Sequence, residues 1–441
     1  MSPRAPQHGD NGQTVAILPW GDLLSDWLDQ LGISLAEFRD EFTGSWMFGY
    51  ARALQRAGVR PVIVCTTSRV KNVQRSVHRP TEVPLYVLPA PRAYRAVRRL
   101  LLETSLSSIR DPVAVARAVA THIAPYGATP VARLAQVLRA ERCTALLVQE
   151  YESPRFDVCV ALGRILRVPV FGTFQGGDYQ LSRVEAPVRP ITLRLAAGLI
   201  VGAQSERERL HRQYGLRGAR LRRIFNPIDA VFWRASDRAE ARASEGLPRD
   251  AEIVAWHGQA HPRKGLDLLL EAWRTLSGER PNRELVLLLF GGRTGSDRLR
   301  AEVEGVADTS VHVIDEWILD PHRVRRLLSA ADVYAFPSRH EGLAVAPLEA
   351  MACGLPVVAT AAQGVADIFE AGEGDGGLVV PREDVAAFAV ALGTLLDDAA
   401  RRHRAGLAAR RRVESAFALE SVGKELGSFL SSGAWREGDR P

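Results

Sequence analysis

The stretch FPSRHEGLAVAPLEAMACGLPVVAT, residues 336–360, decides how the chain is read. An apolar run ends at Phe336-Pro337-Ser338, and a loop carrying Glu341 and Gly342 follows. Pro347 suits the first turn of a helix, where its missing N–H would have no partner anyway. Gly354 and Pro356 stop that helix before the next apolar strand. Glu341 and Glu349 stand eight positions apart, roughly 12 Å if the segment were all helical. Such a pair cannot share one proton or one metal ion. It can hold two hydroxyl-bearing ends of one long ligand. The helix start between them offers free N–H groups and a positive dipole end, which suit a diphosphate.

Outward from this stretch, short apolar runs alternate with amphipathic helical patterns, the signature of parallel sheets with crossover helices. Strands are predicted at 252–258, 284–290, 310–314, 332–338 and 355–360, with helices near 265–277, 297–305, 321–330 and 347–353. Before them, strands are predicted at 15–18, 61–65, 84–88, 145–148, 168–174 and 198–202, with helices including 46–57, 131–140, 155–167 and 204–214. Continuous apolar strands mean sheets covered on both faces. The polar, loop-rich segment 226–250 reads as a linker. The expected organisation is two facing Rossmann-like α/β domains. Residues 1–228 form the first, joined by a returning helix over 416–432, and residues 229–415 form the second. In open parallel sheets ligands sit beyond the carboxyl ends of the strands, so chemistry is sought in the loops that follow them.

The pattern H-E-G-x5-P-L-E-A-M-A-x-G-x-P-V-V-A-T, with glutamates at 341 and 349, resembles the hallmark of retaining glycosyltransferase family 4, which has the GT-B fold. The resemblance implies that Glu341 faces a donor sugar, that Glu349 binds the ribose, and that the backbone of Gly342 and Leu343 faces the sugar and phosphates. WHGQAHPRKGLDLLLEAW (256–273) is similar to the family's G-R-x4-K-G stretch and sets Lys264 on the diphosphate. The family's arginine position is Gln259 here, one positive charge fewer, with Arg263 and His261 as nearby substitutes. RIFNPIDAVFW (223–233) is similar to the stretch that leads into the second domain, with Pro227 in place of a glycine.

In the first domain, EFTGSWMFGYARALQRAGVRPVIV (41–64) resembles the family's glycine loop, helix and second strand. Gly44 and Ser45 would let backbone approach the donor phosphates. FGTFQGGDY (171–179) carries Gln175 where the family often has a histidine against the sugar. Glutamine can hydrogen-bond a hydroxyl but cannot act as a base, and Asp178 is the ionisable group beside it. The insert at 19–40 reads either as a wall on the acceptor side or as a helical cap on the domain.

The resemblance implies transfer of a sugar from a nucleotide-sugar donor, with retention and no metal or other cofactor. The acceptor is not legible. Two other readings stand beside it: an epimerase or phosphorylase on the same architecture, and a non-catalytic nucleotide-sugar-binding subunit, since fold alone does not fix function. No Asp-x-Asp and no G-x4-G-K-[ST] occurs, which argues against a metal-diphosphate grip and against an ATPase.

The bulk composition fits a globular enzyme. Of 441 residues 46% are hydrophobic and 24% charged, enough for two or three cores. Net charge is +6, yet there is no zinc finger and no basic block with interleaved aromatics, so nucleic acid is not an expected partner. Cys65, Cys143, Cys159 and Cys353 form no C-x-x-C pair and are expected to be reduced, buried thiols. The polar opening residues lack the apolar core of a signal peptide, and the expected compartment is the cytoplasm. RAYRAVRRLLLETSLSSIR (92–110) alternates arginines and leucines at helical spacing. It reads either as a solvated basic face or as a peripheral contact with the inner membrane surface.

Overall fold

Alternation within each apolar strand sends successive side chains to opposite faces, so a sheet strand without polar residues needs cover on both sides. The computed structural model describes residues 12–103, 123–176, 185–218, 220–292, 310–342 and 344–432, with 299, 301 and 303. Val15 and Ile17 join one apolar cluster while Ala16 and Leu18 join another on the far face. Ile253 and Ala255, against Val254 and Trp256, divide the same way.

Every apolar run predicted as a strand is one. The first sheet has eight strands: β1 Thr14–Leu18, β2 Arg60–Thr67, β3 Gln74–His78, β4 Val83–Pro89, β5 Ala145–Gln149, β6 Val170–Thr173, β7 Gly198–Val201 and β8 Leu221–Arg223. Their order is β3-β4-β2-β1-β5-β6-β7-β8, parallel except for β3 against β4. The second has six: β9 Glu252–Gly258, β10 Leu285–Gly291, β11 Val311–Asp315, β12 Val333–Phe336, β13 Val357–Thr360 and β14 Gly377–Val380. Their order is β11-β10-β9-β12-β13-β14. The strands that the sequence did not signal, β3, β8 and β14, are all sheet edges. β3 and β8 mix polar residues into the run, which blunts the apolar signal, and β14 is a run of four residues, Gly377–Val380.

The segment 226–250, expected to be a linker, contains the helix Arg238–Ser244. Asp237 caps it by accepting from Glu240 N, and buried Arg242 pairs with Asp332 at 2.8 Å. A polar composition hid this helix because its anchor is an ion pair rather than an apolar face. Of the expected helix near 297–305, residues 299, 301 and 303 are described and are helical, with Leu299 and Val303 buried in the second core, whereas the far part of 92–110 lies outside the described residues. Within the latter, Arg92–Glu103 is helical.

Chain connections between the sheets run twice through one place. Ile228 N donates to Phe417 O at 2.7 Å where the outgoing and returning segments cross. The helix Leu419–Ser432 then packs on the first sheet, with Phe429 edge-on to Phe171 at 5.3 Å. The insert forms short helices at Leu23–Leu28, Asp29–Leu31 and Leu35–Asp40, and Leu28, Leu31 and Phe38 are in the core. All four cysteines are free and buried, and burial pushes each of the four thiols, Cys65, Cys143, Cys159 and Cys353, up to about 12.

Candidate active site in the interdomain cleft

Strands β9, β10 and β12 end on one side of the second sheet, and each is followed by a loop that turns toward the first domain. A cavity of about 350 Å³ lies there. The second domain lines it with His257, Gly258, Gln259, Lys264, Phe290 and Glu349, and the first with Trp27, Phe42, Thr43 and Gly44. Of the expected site residues, the cavity therefore collects Gly44, Gln259, Lys264 and Glu349 from stretches far apart in sequence.

Lys264 closes the short turn Pro262–Lys264, and Gly265 follows with φ of +64°. A side chain at 265 would put its Cβ 2.0 Å from Pro337 O, so only glycine lets the lysine turn sit against the end of β12. In that position Lys264 Nζ donates to Glu341 Oε1 at 2.7 Å, and Ser338 Oγ donates to the same oxygen at 2.6 Å. The Glu341 side chain is 10% exposed and Lys264 35%, so the carboxylate is sheltered and the ammonium still reaches the cavity. Glu341 itself lies in the loop rather than on a helix.

Glu349 sits in the helix Ala346–Ala352, whose start has no side-chain cap and carries Pro347 in its first turn. Glu349 Oε2 lies 2.9 Å from His257 Nε2. The imidazole stacks on Phe290 with centroids 5.0 Å apart and planes at 7°, and meets Tyr334 edge-on at 5.5 Å. His257 was not singled out in the sequence. The available signal was a histidine inside an otherwise apolar strand, directly before the Gly258-Gln259 turn.

The other expected residues are placed differently. Ser45 starts the helix Trp46–Arg56 and accepts from Phe48 N at 3.1 Å through its backbone; it does not line the cavity. The Gln175 amide is tied within its own domain: Oε1 accepts from Asn226 Nδ2 at 2.7 Å and Nε2 donates to Thr173 Oγ1 at 2.9 Å. Gln175 does not line the cavity either. Arg263 and His261 are exposed and do not line it. Asp178 and Leu343 lie outside the described residues. The insert packs in the core as a helical cap on the domain, and it contributes Trp27, Gln30 and Leu31 to the cavity wall.

The two domains meet around this cavity. Gly342 lies so close to Gln175 that a Cβ there would stand 2.4 Å from the Gln175 carbonyl carbon and from Gly176 N. Phe42 stacks on Trp317 at 6.2 Å, and Trp27 meets Phe42 edge-on at 5.5 Å. Asp367 accepts from Gln204 N at 2.9 Å and Arg223 Nη1 at 3.1 Å. Burial pushes the Asp367 carboxyl up, and these two donors only partly oppose it.

Residues 251–398 match the family described as glycosyl transferases group 1. A D-inositol 3-phosphate glycosyltransferase of Kineococcus radiotolerans is 38% identical over 231 residues, 49% of this chain and 53% of that protein. A GDP-mannose-dependent monoacylated alpha-(1-6)-phosphatidylinositol monomannoside mannosyltransferase of Corynebacterium glutamicum is 32% identical over 204 residues, 44% and 51% of the two chains. The chain thus spans about half the length of the curated relatives it matches. Among solved structures, sucrose-phosphate synthase of Thermosynechococcus elongatus superposes with a TM-score of 0.66 at 21% identity, covering 95% of this chain and 98% of that one. Anabaena HepE in complex with UDP gives 0.66 at 16% identity, covering 95% and 100%. The chain has the GT-B fold, and its segment 251–398 is similar to the glycosyl transferases group 1.

Proposed function

We propose that this protein transfers a sugar from a nucleotide-sugar donor to a hydroxyl-bearing acceptor, with retention at the anomeric carbon as in glycosyltransferase family 4, and without a metal ion or other cofactor. One observation carries the reading: Lys264, bonded to Glu341 at 2.7 Å, and Glu349 stand together at the carboxyl ends of strands facing one cleft between two domains.

In this reading Glu349 accepts from the ribose hydroxyls. The Lys264 ammonium meets the diphosphate, where a point charge beside phosphate oxygens is apt. Glu341 faces the donor sugar, and the backbone at Gly342 and Leu343 borders the phosphates. Gly44 and Ser45 approach from the other domain, and Gln259 offers an amide where a second cation would otherwise stand. The bond from the anomeric carbon to the diphosphate oxygen breaks as the acceptor oxygen bonds that carbon. The acceptor proton passes to the departing phosphate oxygen. Lys264 stabilises the charge that develops there. Contact between the domains at Gly342 and Gly176 keeps water from the donor. Two carboxylates at the ends of a long ligand differ from the glycosidase arrangement, which holds its pair about 5 Å apart across one bond.

Both curated relatives carry inositol in their names, and inositol compounds are the first acceptors to test. We assign the reaction to the cytoplasm, with residues 92–110 as a peripheral membrane contact. Arg92 and Arg95 supply charge there, and no described helix is long and apolar enough to cross a membrane.

A thermal-shift series with UDP, GDP, ADP and their sugars tests donor binding, because a ligand of the folded form alone raises the melting temperature. Incubation with donor alone then separates the rival enzyme reading, since an epimerase alters the sugar without an acceptor. Binding with no release of nucleoside diphosphate under any acceptor would leave a non-catalytic subunit instead.

A further inference from the structure

We propose that His257 is a positioning residue: it holds the Glu349 carboxylate in the orientation that receives the ribose hydroxyls of the nucleotide. The inference rests on the donor reading above and goes beyond it by assigning a residue outside the glutamate and lysine pattern.

Three observations converge. First, among the described residues His257 is the hydrogen-bond partner of Glu349, at 2.9 Å through Nε2. The glutamate projects from a seven-residue helix, and among the described residues its carboxylate has no ion-pair partner besides His257. Second, the ring is held by packing on two sides, parallel to Phe290 and edge-on to Tyr334. Third, His257 Nδ1 is buried and makes no hydrogen bond among the described residues. Buried polar atoms normally have partners. His78, in the same chain, shows the ordinary structural case: its Nδ1 meets Thr81 Oγ1 at 2.7 Å and its Nε2 meets Phe42 O at 2.9 Å. Among the described residues, the polar anchor of the His257 ring is the carboxylate that the donor reading assigns to the nucleotide.

The chemistry follows from the acceptor. A carboxylate accepts only, so the ring proton stands on Nε2 and the imidazole donates to Oε2. This engages one oxygen and orients the other. Glu349 therefore need not lose its side-chain freedom when the nucleotide arrives, and that entropy is already spent in the free protein. Both side chains are nearly enclosed, 13% and 15% exposed, yet both line the cavity.

The test is calorimetric titration of the full chain with UDP, GDP and ADP. The tightest of these is then compared with its 2′,3′-dideoxy counterpart. His257→Leu should weaken the ribonucleotide by about tenfold, the scale of one lost charge-assisted hydrogen bond, and leave the dideoxy form unchanged. His257→Gln, whose amide can donate from nearly the same place, should recover most of the loss. His257→Leu should add nothing once Glu349 is alanine, as expected of two residues acting as one unit. In turnover, KM for the donor should rise with kcat kept. If His257→Leu unfolds, His257→Phe retains the stacking, removes the donor and is read the same way. Equal weakening of both nucleotide forms, or full additivity with Glu349→Ala, overturns the proposal while leaving the donor reading in place. A wild-type chain that binds none of the three nucleotides overturns the donor reading itself, and this inference with it.

Discussion

Lys264 Nζ stands 2.7 Å from Glu341 Oε1, so the lysine of the cleft meets its ligand already paired with a carboxylate. The pair comes from two loops 77 positions apart, brought together by Gly265 against Pro337. Removing either member should affect different steps. Lys264→Ala should lower transfer by about 10²–10³-fold, the usual scale for losing one group that stabilises developing charge. Glu341→Gln keeps an acceptor for Ser338 and frees the ammonium, so nucleoside diphosphate should bind more tightly while transfer falls. Steady-state kinetics with titration calorimetry reads both. Unchanged turnover in Glu341→Gln would remove Glu341 from the sugar side.

Glu349→Ala should weaken nucleoside diphosphate by about 10- to 100-fold, since two hydroxyls lose a charged acceptor. Calorimetric affinity equal to wild type would refute the ribose assignment.

Gly342→Ala tests the contact between domains. Its new Cβ would stand 2.4 Å from backbone of Gln175 and Gly176, atoms that cannot rotate away. The domains must part instead. Transfer should fall by about 10²-fold, the cost of a misplacement near 1 Å in an organised site. The melting temperature should move little, because neither core is touched. Small-angle scattering should report a larger radius of gyration, and an unchanged radius with full activity would contradict the close approach.

Gln259→Arg adds a cation beside the expected diphosphate without touching the Lys264–Glu341 pair. Donor affinity should rise several-fold, and the gain should shrink as salt is added, because screened charges interact less. A gain independent of ionic strength would point away from phosphate.

His78 gives a pH prediction. Burial pushes its imidazole down to about 4, against an ordinary value of 6.5, even though Phe42 O accepts from its ring. The folded form thus binds fewer protons than the unfolded chain between these values. Stability should be complete above about pH 6.5 and decline as pH falls toward 4, by at most about 3 kcal/mol at 1.36 kcal/mol per pKa unit. Because Phe42 lines the cavity and stacks on Trp317, its loop should loosen over the same window. Urea unfolding at pH 7 and pH 4.5 checks this, and His78→Asn should flatten the difference.

Much of the second domain was legible in order, from 252–258 through 355–360, because buried parallel strands are continuous apolar runs and Pro347 and Gly354 mark where the helix between two of them starts and stops. The edge strands β3 and β8 were not legible, since solvent on one side removes the demand for unbroken apolar character, while β14, an apolar run of four residues, was missed. The helix Arg238–Ser244 was missed for the matching reason: its hold is the buried ion pair of Arg242 with Asp332.

By itself the sequence determined the two parallel sheets, the loops after the strands as the place of chemistry, and Lys264, Glu341 and Glu349 as the charged groups there. Local periodicity carries the sheets and the loops, and the family resemblance points to the three charged residues. Only the tertiary structure decided that Lys264 pairs with Glu341, that Gln175 is bound by Asn226 and Thr173, and that His257 reaches Glu349. Each of these depends on a distance between residues far apart along the chain, and such distances are set by how the strands order themselves and how closely glycine lets two backbones approach.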